Sequence, residues 1–225
     1  MVYKSEQMKQ QKSIDVHVHS LAQLIEKSKS DFSDIRSFIL YKKQEIYAQR
    51  NHYLSQFTLQ DITQNEILNT EHGKPYLNTL NPCYFNHSHS QKNYALAMSH
   101  GVKNIGVDIE DLDRNVRFEA LANHAFHPQE LAHWNDVEQS SEYWFKVWTT
   151  KEAVLKAAGL GIRINLNEFD TQVHPEQNGG ICSHPEIGAF AYQNFSLNSV
   201  MLTVAWQFEQ SYKGSQFPQI HIFQH

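Results

Sequence analysis

Asn104-Ile105-Gly106-Val107-Asp108-Ile109-Glu110 decides how this chain is organised. Its apolar residues alternate with polar ones, which is the period of a strand. Asp108 and Glu110, at i and i+2, leave that strand on one face, so two carboxylates emerge side by side. Two like charges that close are unfavourable unless something positive lies between them. A hard divalent cation meets that need, and oxygen ligands in this pattern suit Mg²⁺, which keeps waters and substrate phosphates in its shell. A solvated strand end with two acids is the plainer reading of the pair.

Towards the C-terminus, 117–124 and 128–137 read as helices, and a strong helix runs from Glu142 to Ala158 until Gly159 and Gly161 stop it. Strands are expected around Glu168–Val173 and Val200–Phe208. Towards the N-terminus, Ile14-Asp15-Val16-His17-Val18-His19 alternates as a half-exposed strand does. Residues 30–59 read as mainly helical, carrying Arg36, Lys42, Lys43 and Arg50 among apolar positions. His72-Gly73-Lys74-Pro75 is a turn signal. Cys83-Tyr84-Phe85-Asn86 and Tyr94-Ala95-Leu96-Ala97-Met98-Ser99 look like two strands joined by a polar loop. Each half therefore offers strands and helices in mixed order, with the join near Lys103. The expectation is an α+β protein of two similarly sized lobes, 1–103 and 104–225.

Composition narrows the function classes. Of 225 residues, 40% are hydrophobic and 19% charged, which is ordinary for a soluble globular chain with a sizeable core. The stretch Met1–Lys12 is polar and lacks the apolar run of a secretory leader. No segment approaches the ~20 apolar residues that cross a bilayer. A cytoplasmic protein without a membrane role is expected. The net charge of −5 sets a general nucleic-acid partner at a disadvantage. Cys83 and Cys182 form no CxxC pair and lie far apart, so free thiols in a reducing compartment are the default.

Two further segments carry chemistry. In Trp148-Thr149-Thr150-Lys151-Glu152-Ala153-Val154-Leu155-Lys156, Glu152 and Lys156 stand at i and i+4 on one helix face. A surface ion pair would account for them, but Trp144, Phe145, Val147 and Trp148 make this helix mostly buried. A charged pair there faces a cleft more readily than open solvent. Phe85-Asn86-His87-Ser88-His89-Ser90 offers hydroxyls, imidazoles and backbone N–H groups that can hold phosphate oxygens. His87 with His89, or His17 with His19, could also bind a transition metal. Yet no Cys or carboxylate stands at zinc spacing beside either pair, and HExxH is absent. GxGxxG, GxxxxGK[ST] and GxSxG are absent as well. In Phe126-His127-Pro128-Gln129-Glu130, Pro128 suits a first helical turn and Glu130 caps the same helix end; a role for Glu130 beside a metal is the alternative.

Taken in order, these segments resemble the surfactin-type 4′-phosphopantetheinyl transferases. The matching elements are Gly73-Lys74-Pro75, the run from Phe85 to Ser90, Gly106-Val107-Asp108-Ile109-Glu110, the run from Phe126 to Glu130, and Trp148 to Lys156 with Gly159 and Gly161. Any one of them is weak, and five in order are specific. The resemblance thins before Lys42 and after Ile164. It implies a pseudo-two-fold α+β monomer with its active site in the cleft between lobes. It implies transfer of the 4′-phosphopantetheine arm of coenzyme A to a serine of an apo acyl or peptidyl carrier protein, with Mg²⁺, or Mn²⁺ in its place. By position, Asp108, Glu110 and Glu152 would be the metal ligands. Lys74 and Pro75 would border the adenine, Ser88 and His89 would contact the phosphates, and Lys156 would sit by the pyrophosphate. Glu152, Lys156 and His89 would serve the chemistry, with Glu152, or a metal-bound water that it orients, as base. Arg36, Lys42, Lys43 and Arg50 are the candidates for gripping the 3′-phosphate, Lys43 being carried forward. Family members usually carry a small aliphatic or hydrophobic residue where His87 stands, and often a serine where His127 stands. A non-catalytic coenzyme A or carrier-protein binding module, or a Mg²⁺-dependent diphosphate hydrolase, are the rival readings.

Overall fold

A computed structural model describes residues 12–161, 163–208 and 217–225. The stretch Met1–Lys12 lies outside these residues except for its last member. In chain order the elements are β1 (Ser13–Ser20), α1 (Leu21–Leu24), α2 (Ile35–Thr58), β2 (Ile67–Asn69), β3 (Pro75–Leu77), β4 (Tyr84–His89), β5 (Asn93–Ser99), β6 (Ile105–Asp111), α3 (Phe118–Ala125), α4 (Pro128–Asp136), α5 (Ser141–Ala158), β7 (Gly179–His184), β8 (Gly188–Leu197), β9 (Val200–Gln207) and β10 (Gln219–Gln224). The fold is mixed α+β. One four-stranded sheet has the order β10-β1-β5-β4, the other β6-β9-β8-β7, and β2 with β3 forms a small hairpin. β10 pairs with β1 in parallel, so the last strand of the chain joins the sheet begun by the first.

Alternation in the strands explains the layering. Ile14, Val16 and Val18 of β1, with Ala95 and Ala97 of β5, share one buried cluster with Ile105, Val107 and Ile109 of β6 and with Leu202 and Val204 of β9. The two sheets therefore meet through a common core. On the far side of the first sheet, Tyr94, Leu96 and Met98 pack with Ile46 and Leu54 of α2. On the far side of the second, α5 buries Trp144, Phe145, Val154 and Leu155 against α3, α4 and Phe190 of β8. α2 begins at Asp34, whose side chain accepts from the Ser37 N–H. Its buried residues are Ile46, Arg50, Leu54 and Thr58, so only its second half lies on the sheet. Among the described residues no helix is long and apolar enough to cross a membrane.

One strand expected from alternation is not a strand. Residues 168–173 instead follow a 3₁₀ turn at Leu166–Glu168 and run as irregular backbone. Phe169, Thr171 and Val173 do point inward, but apart from the Phe169 N–H, which meets the Leu166 carbonyl, their backbone groups meet side chains. The Lys151 ammonium donates to the carbonyls of Leu166 and Phe169, and Glu130 accepts the Thr171 N–H. An extended segment satisfied in this way has the strand period without a neighbouring strand.

Candidate active site

Close packing of α5 on β6 builds the site. A Cβ on Gly106 would stand 2.0 Å from the Ala153 carbonyl oxygen and 2.5 Å from the Ala157 nitrogen. Only a residue with no side chain lets the helix backbone lie this near the strand. Asp108 and Glu110 follow Gly106 on the same face, so the helix above them presents Glu152 and Lys156 to them. β4 lies alongside as well: the Val107 N–H donates to Asn86 Oδ1 at 2.9 Å across the two sheets. Ser88, two residues on, then reaches the same point.

Three elements thereby converge. The Lys156 ammonium stands 2.6 Å from Asp108 Oδ1 and 2.8 Å from Ser88 Oγ, and the Ser88 hydroxyl donates to Asp108 Oδ1 at 2.8 Å. Asp108 Oδ2 is buried with no hydrogen-bond partner. Glu110 accepts from the Arg114 guanidinium at 2.7 Å. Burial raises the pKa of Glu152 and of Glu110 from the ordinary carboxylate value, and the charge of Asp108 raises both further. These acids feel one another's charge. Below β6, Asp111 accepts from Ser90 Oγ, Asn93 Nδ2 and the Lys92 N–H, which pins the β4–β5 loop to the site.

The residues present fit a hard cation. Lys156 already meets Asp108 Oδ1, while Asp108 Oδ2 is a buried carboxylate oxygen without a donor, which is costly to leave unpaired. Among the described residues no group of three or more His, Cys, Asp or Glu side chains stands close enough to enclose an ion. Asp108, Glu110 and Glu152 supply oxygen donors of the type that Mg²⁺ takes, but they are not gathered closely enough here to enclose one.

Beside the acids lies a cavity of about 320 Å³, lined by His72, Gly73, Lys74 and Pro75, by Asn86 and His87, and by Glu152, Leu155 and Lys156 with Gly159 and Gly161. Lys74 is there, but its ammonium turns away, donating to Ala157 O at 2.7 Å and Ile105 O at 3.1 Å. Burial lowers its pKa to about 8. Its stem lies over Gly159, whose left-handed φ of 74° ends α5. Lys74 therefore fixes this wall of the cavity, and its stem rather than its charge borders the space.

Other residues singled out from sequence stand elsewhere. His89 is exposed at the end of β4, with Nδ1 3.3 Å from Ser90 O, and does not line the cavity. Lys43 is exposed, its ammonium 5.3 Å from the centre of the Tyr47 ring. Arg50 is 2% exposed and is committed to Asn51 Oδ1, Gln64 Oε1 and the face of Tyr47, so it is part of the core beneath α2 and grips no ligand. Glu130 has the structural role expected of it. It caps α4 through the His127 N–H at 2.8 Å and pairs with Lys151 at 2.8 Å, both side chains 1% exposed. His127 fills the N-cap position itself, its ring accepting from the Gln129 N–H, which is how an imidazole can stand where a serine is usual. Asn86 and His72 line the cavity without a side-chain role from sequence, and so does His87, which the sequence offered only as one of the imidazoles of its run. Their signal was position, directly beside Gly73 and Ser88.

Fold and site together define a class: an α+β protein in which Glu152 and Lys156 line a cavity beside Asp108 and Ser88. Residues 104–212 match the family model described as the 4′-phosphopantetheinyl transferase superfamily. The chain is 37% identical over 103 residues to 4′-phosphopantetheinyl transferase HetI of Nostoc sp., covering 45% of this chain and 43% of that protein. It is 36% identical over 119 residues to 4′-phosphopantetheinyl transferase AcpT of Escherichia coli K12, covering 52% and 60%. To 4′-phosphopantetheinyl transferase Sfp of Bacillus subtilis it is 29% identical over 108 residues, covering 47% and 46%. The matched part spans about half the length of these curated relatives. The resemblance to the 4′-phosphopantetheinyl transferases read from the motifs is thus found independently in the half that carries Asp108, Glu110, Glu152 and Lys156.

Proposed function

We propose that the protein moves the 4′-phosphopantetheine arm of coenzyme A onto a serine of an apo acyl or peptidyl carrier protein, releasing adenosine 3′,5′-bisphosphate. The observation that carries this reading is the meeting of Lys156, Ser88 and Asp108 from three elements at the edge of the cavity, in the region matched by the superfamily. Two lobes, 1–103 and 104–225, related by a pseudo-two-fold axis, would frame the cleft; one four-stranded sheet in each half supports this division, with β10 crossing back to the first. The protein would act as a cytoplasmic monomer, with neither nucleic acid nor membrane as partner.

In the reaction the carrier serine Oγ forms a bond to the β-phosphorus, and the bond from that phosphorus to the oxygen of adenosine 3′,5′-bisphosphate breaks. Serine is a poor nucleophile at neutral pH and loses its proton as it attacks. Glu152 would take that proton. Its raised pKa and lack of a hydrogen-bond partner among the described residues suit a base. Lys156 and Ser88 would hold phosphate oxygens, and Lys156 would stabilise the charge on the leaving group. A Mg²⁺ held by Asp108, Glu110 and Glu152 would add charge neutralisation at the diphosphate. Pro75 and the Lys74 stem would border the adenine, and His89 and Lys43, which do not line the cavity, would contact only phosphates that extend from it.

Chromatography of the nucleotide product tests this reading. Adenosine 3′,5′-bisphosphate should appear when coenzyme A, Mg²⁺ and an apo-carrier are all supplied. Its release without carrier would mean a diphosphate hydrolase. Coenzyme A binding with no release across a panel of acyl and peptidyl carriers would mean a binding module.

A further inference from the structure

His87 is a histidine in the wall of the cavity that the reaction outlined above does not use. It is mostly buried between α2 and the edge of the first sheet, with the rings of Tyr47 and Tyr94 at 6.1 and 5.8 Å. Its Nδ1 is fully buried with no partner, and no group among the described residues hydrogen-bonds to either ring nitrogen. Burial, aided by the charges of Arg50, Lys156 and His89, holds its pKa at about 3, so the ring is neutral at any working pH. A neutral imidazole carries its proton on one nitrogen. A proton on Nδ1 would be a buried donor with no acceptor, which costs its full desolvation. The proton therefore belongs on Nε2, leaving Nδ1 as the bare, buried atom.

We propose that His87 is a specificity-determining residue of the cavity, donating a neutral Nε2–H to a phosphate oxygen of the diphosphate that lies beside Lys156. This rests on the coenzyme A reading and deepens it. A hydrophobic residue at this position would pack as well between Tyr47 and Tyr94 but would offer the ligand nothing polar. The contact adds a donor without adding charge, so it binds the ground state and the transition state alike.

Calorimetric titration with coenzyme A, on the full chain with Mg²⁺, compares wild type, His87→Leu and His87→Gln. The leucine variant should bind at least about 10-fold more weakly, the loss expected for a hydrogen bond to a charged acceptor. Glutamine, whose amide nitrogen reaches the Nε2 position, should restore binding to within about 3-fold on the same scale. In turnover, His87→Leu should raise KM for coenzyme A with kcat unchanged. Unaltered affinity in the leucine variant would overturn the role of His87 and leave the transferase reading standing. Equal weakening in both variants with a lowered Tm would overturn it too, assigning His87 to packing. Wild type that binds no coenzyme A would remove the underlying reading itself.

Discussion

A methyl group on Gly106 has nowhere to go, because the Ala153 carbonyl oxygen would be 2.0 Å away. Gly106→Ala is expected to lift α5 from β6, lowering stability by at least ~1–3 kcal/mol, the usual cost of overpacking. Urea denaturation measures this, and an unchanged midpoint would mean that helix and strand are not in register as described. Asp108→Ala tests the acid set instead. It removes a side chain whose second oxygen has no protein partner, so product release should fall to background while the far-UV circular dichroism stays native. Full turnover in that variant would remove Asp108 from the chemistry. At this scale the sequence was most legible: spacing put Asp108 beside Glu110 and Glu152 beside Lys156. It could not show that Arg50 is spent on Asn51 and Gln64, or that the Lys74 ammonium caps α5, because both depend on groups brought in by the fold.

α5 carries the site on one face and its own anchorage on the others. Thr149 and Thr150 bond through Thr203 and Asn194 to β9 and β8, Trp148 stacks on Trp144, and Lys151 meets Glu130 in the core. The motif around Glu152 is thus mainly a means of fixing one helix from several sides. Breaking a buried ion pair leaves an uncompensated charge, so Lys151→Met should cost ~3–5 kcal/mol of stability. Loss of less than the cost of a surface change, read from the same denaturation curves, would mean that Lys151 is not buried as described. The pair also explains why 168–173 has the alternation of a strand without being one. Periodicity reports which residues face inward, and the partner of the backbone is not written in it.

Across the molecule, β10 closes the first sheet against β1, and a stack of rings lies at that seam. His17 Nδ1 is 3.0 Å from His225 Nε2, His19 stacks on His225 at 4.3 Å, and Tyr53 of α2 lies over both. Burial first, then the neighbouring His225, lowers the pKa of His17 and of His19 to about 4. Their unfolded values lie near 6.5, so between those values the unfolded chain binds more protons and stability rises with pH. The stabilisation is complete above pH 6.5 and is lost as pH falls towards 4. Tm measured from pH 7 to 4 should decline through this window, and His19→Phe should flatten the decline; a slope unchanged by the substitution would place the effect elsewhere. The mixed α+β class, α2 to α5 and the strands β1, β4, β5, β6 and β9 could be read from local patterns, whereas β2, β3, β7 and β8 were not. The pairing of β10 with β1 could not, because it joins segments some two hundred residues apart and neither encodes its partner.

Intact mass spectrometry of an apo-carrier after incubation with this protein, coenzyme A and Mg²⁺ tests the central claim most directly. The account predicts that a carrier in a panel of acyl and peptidyl carriers gains one phosphopantetheine, and that the gain disappears when its acceptor serine is changed to alanine. A panel in which every carrier keeps its starting mass, with the protein folded and coenzyme A bound, would contradict it.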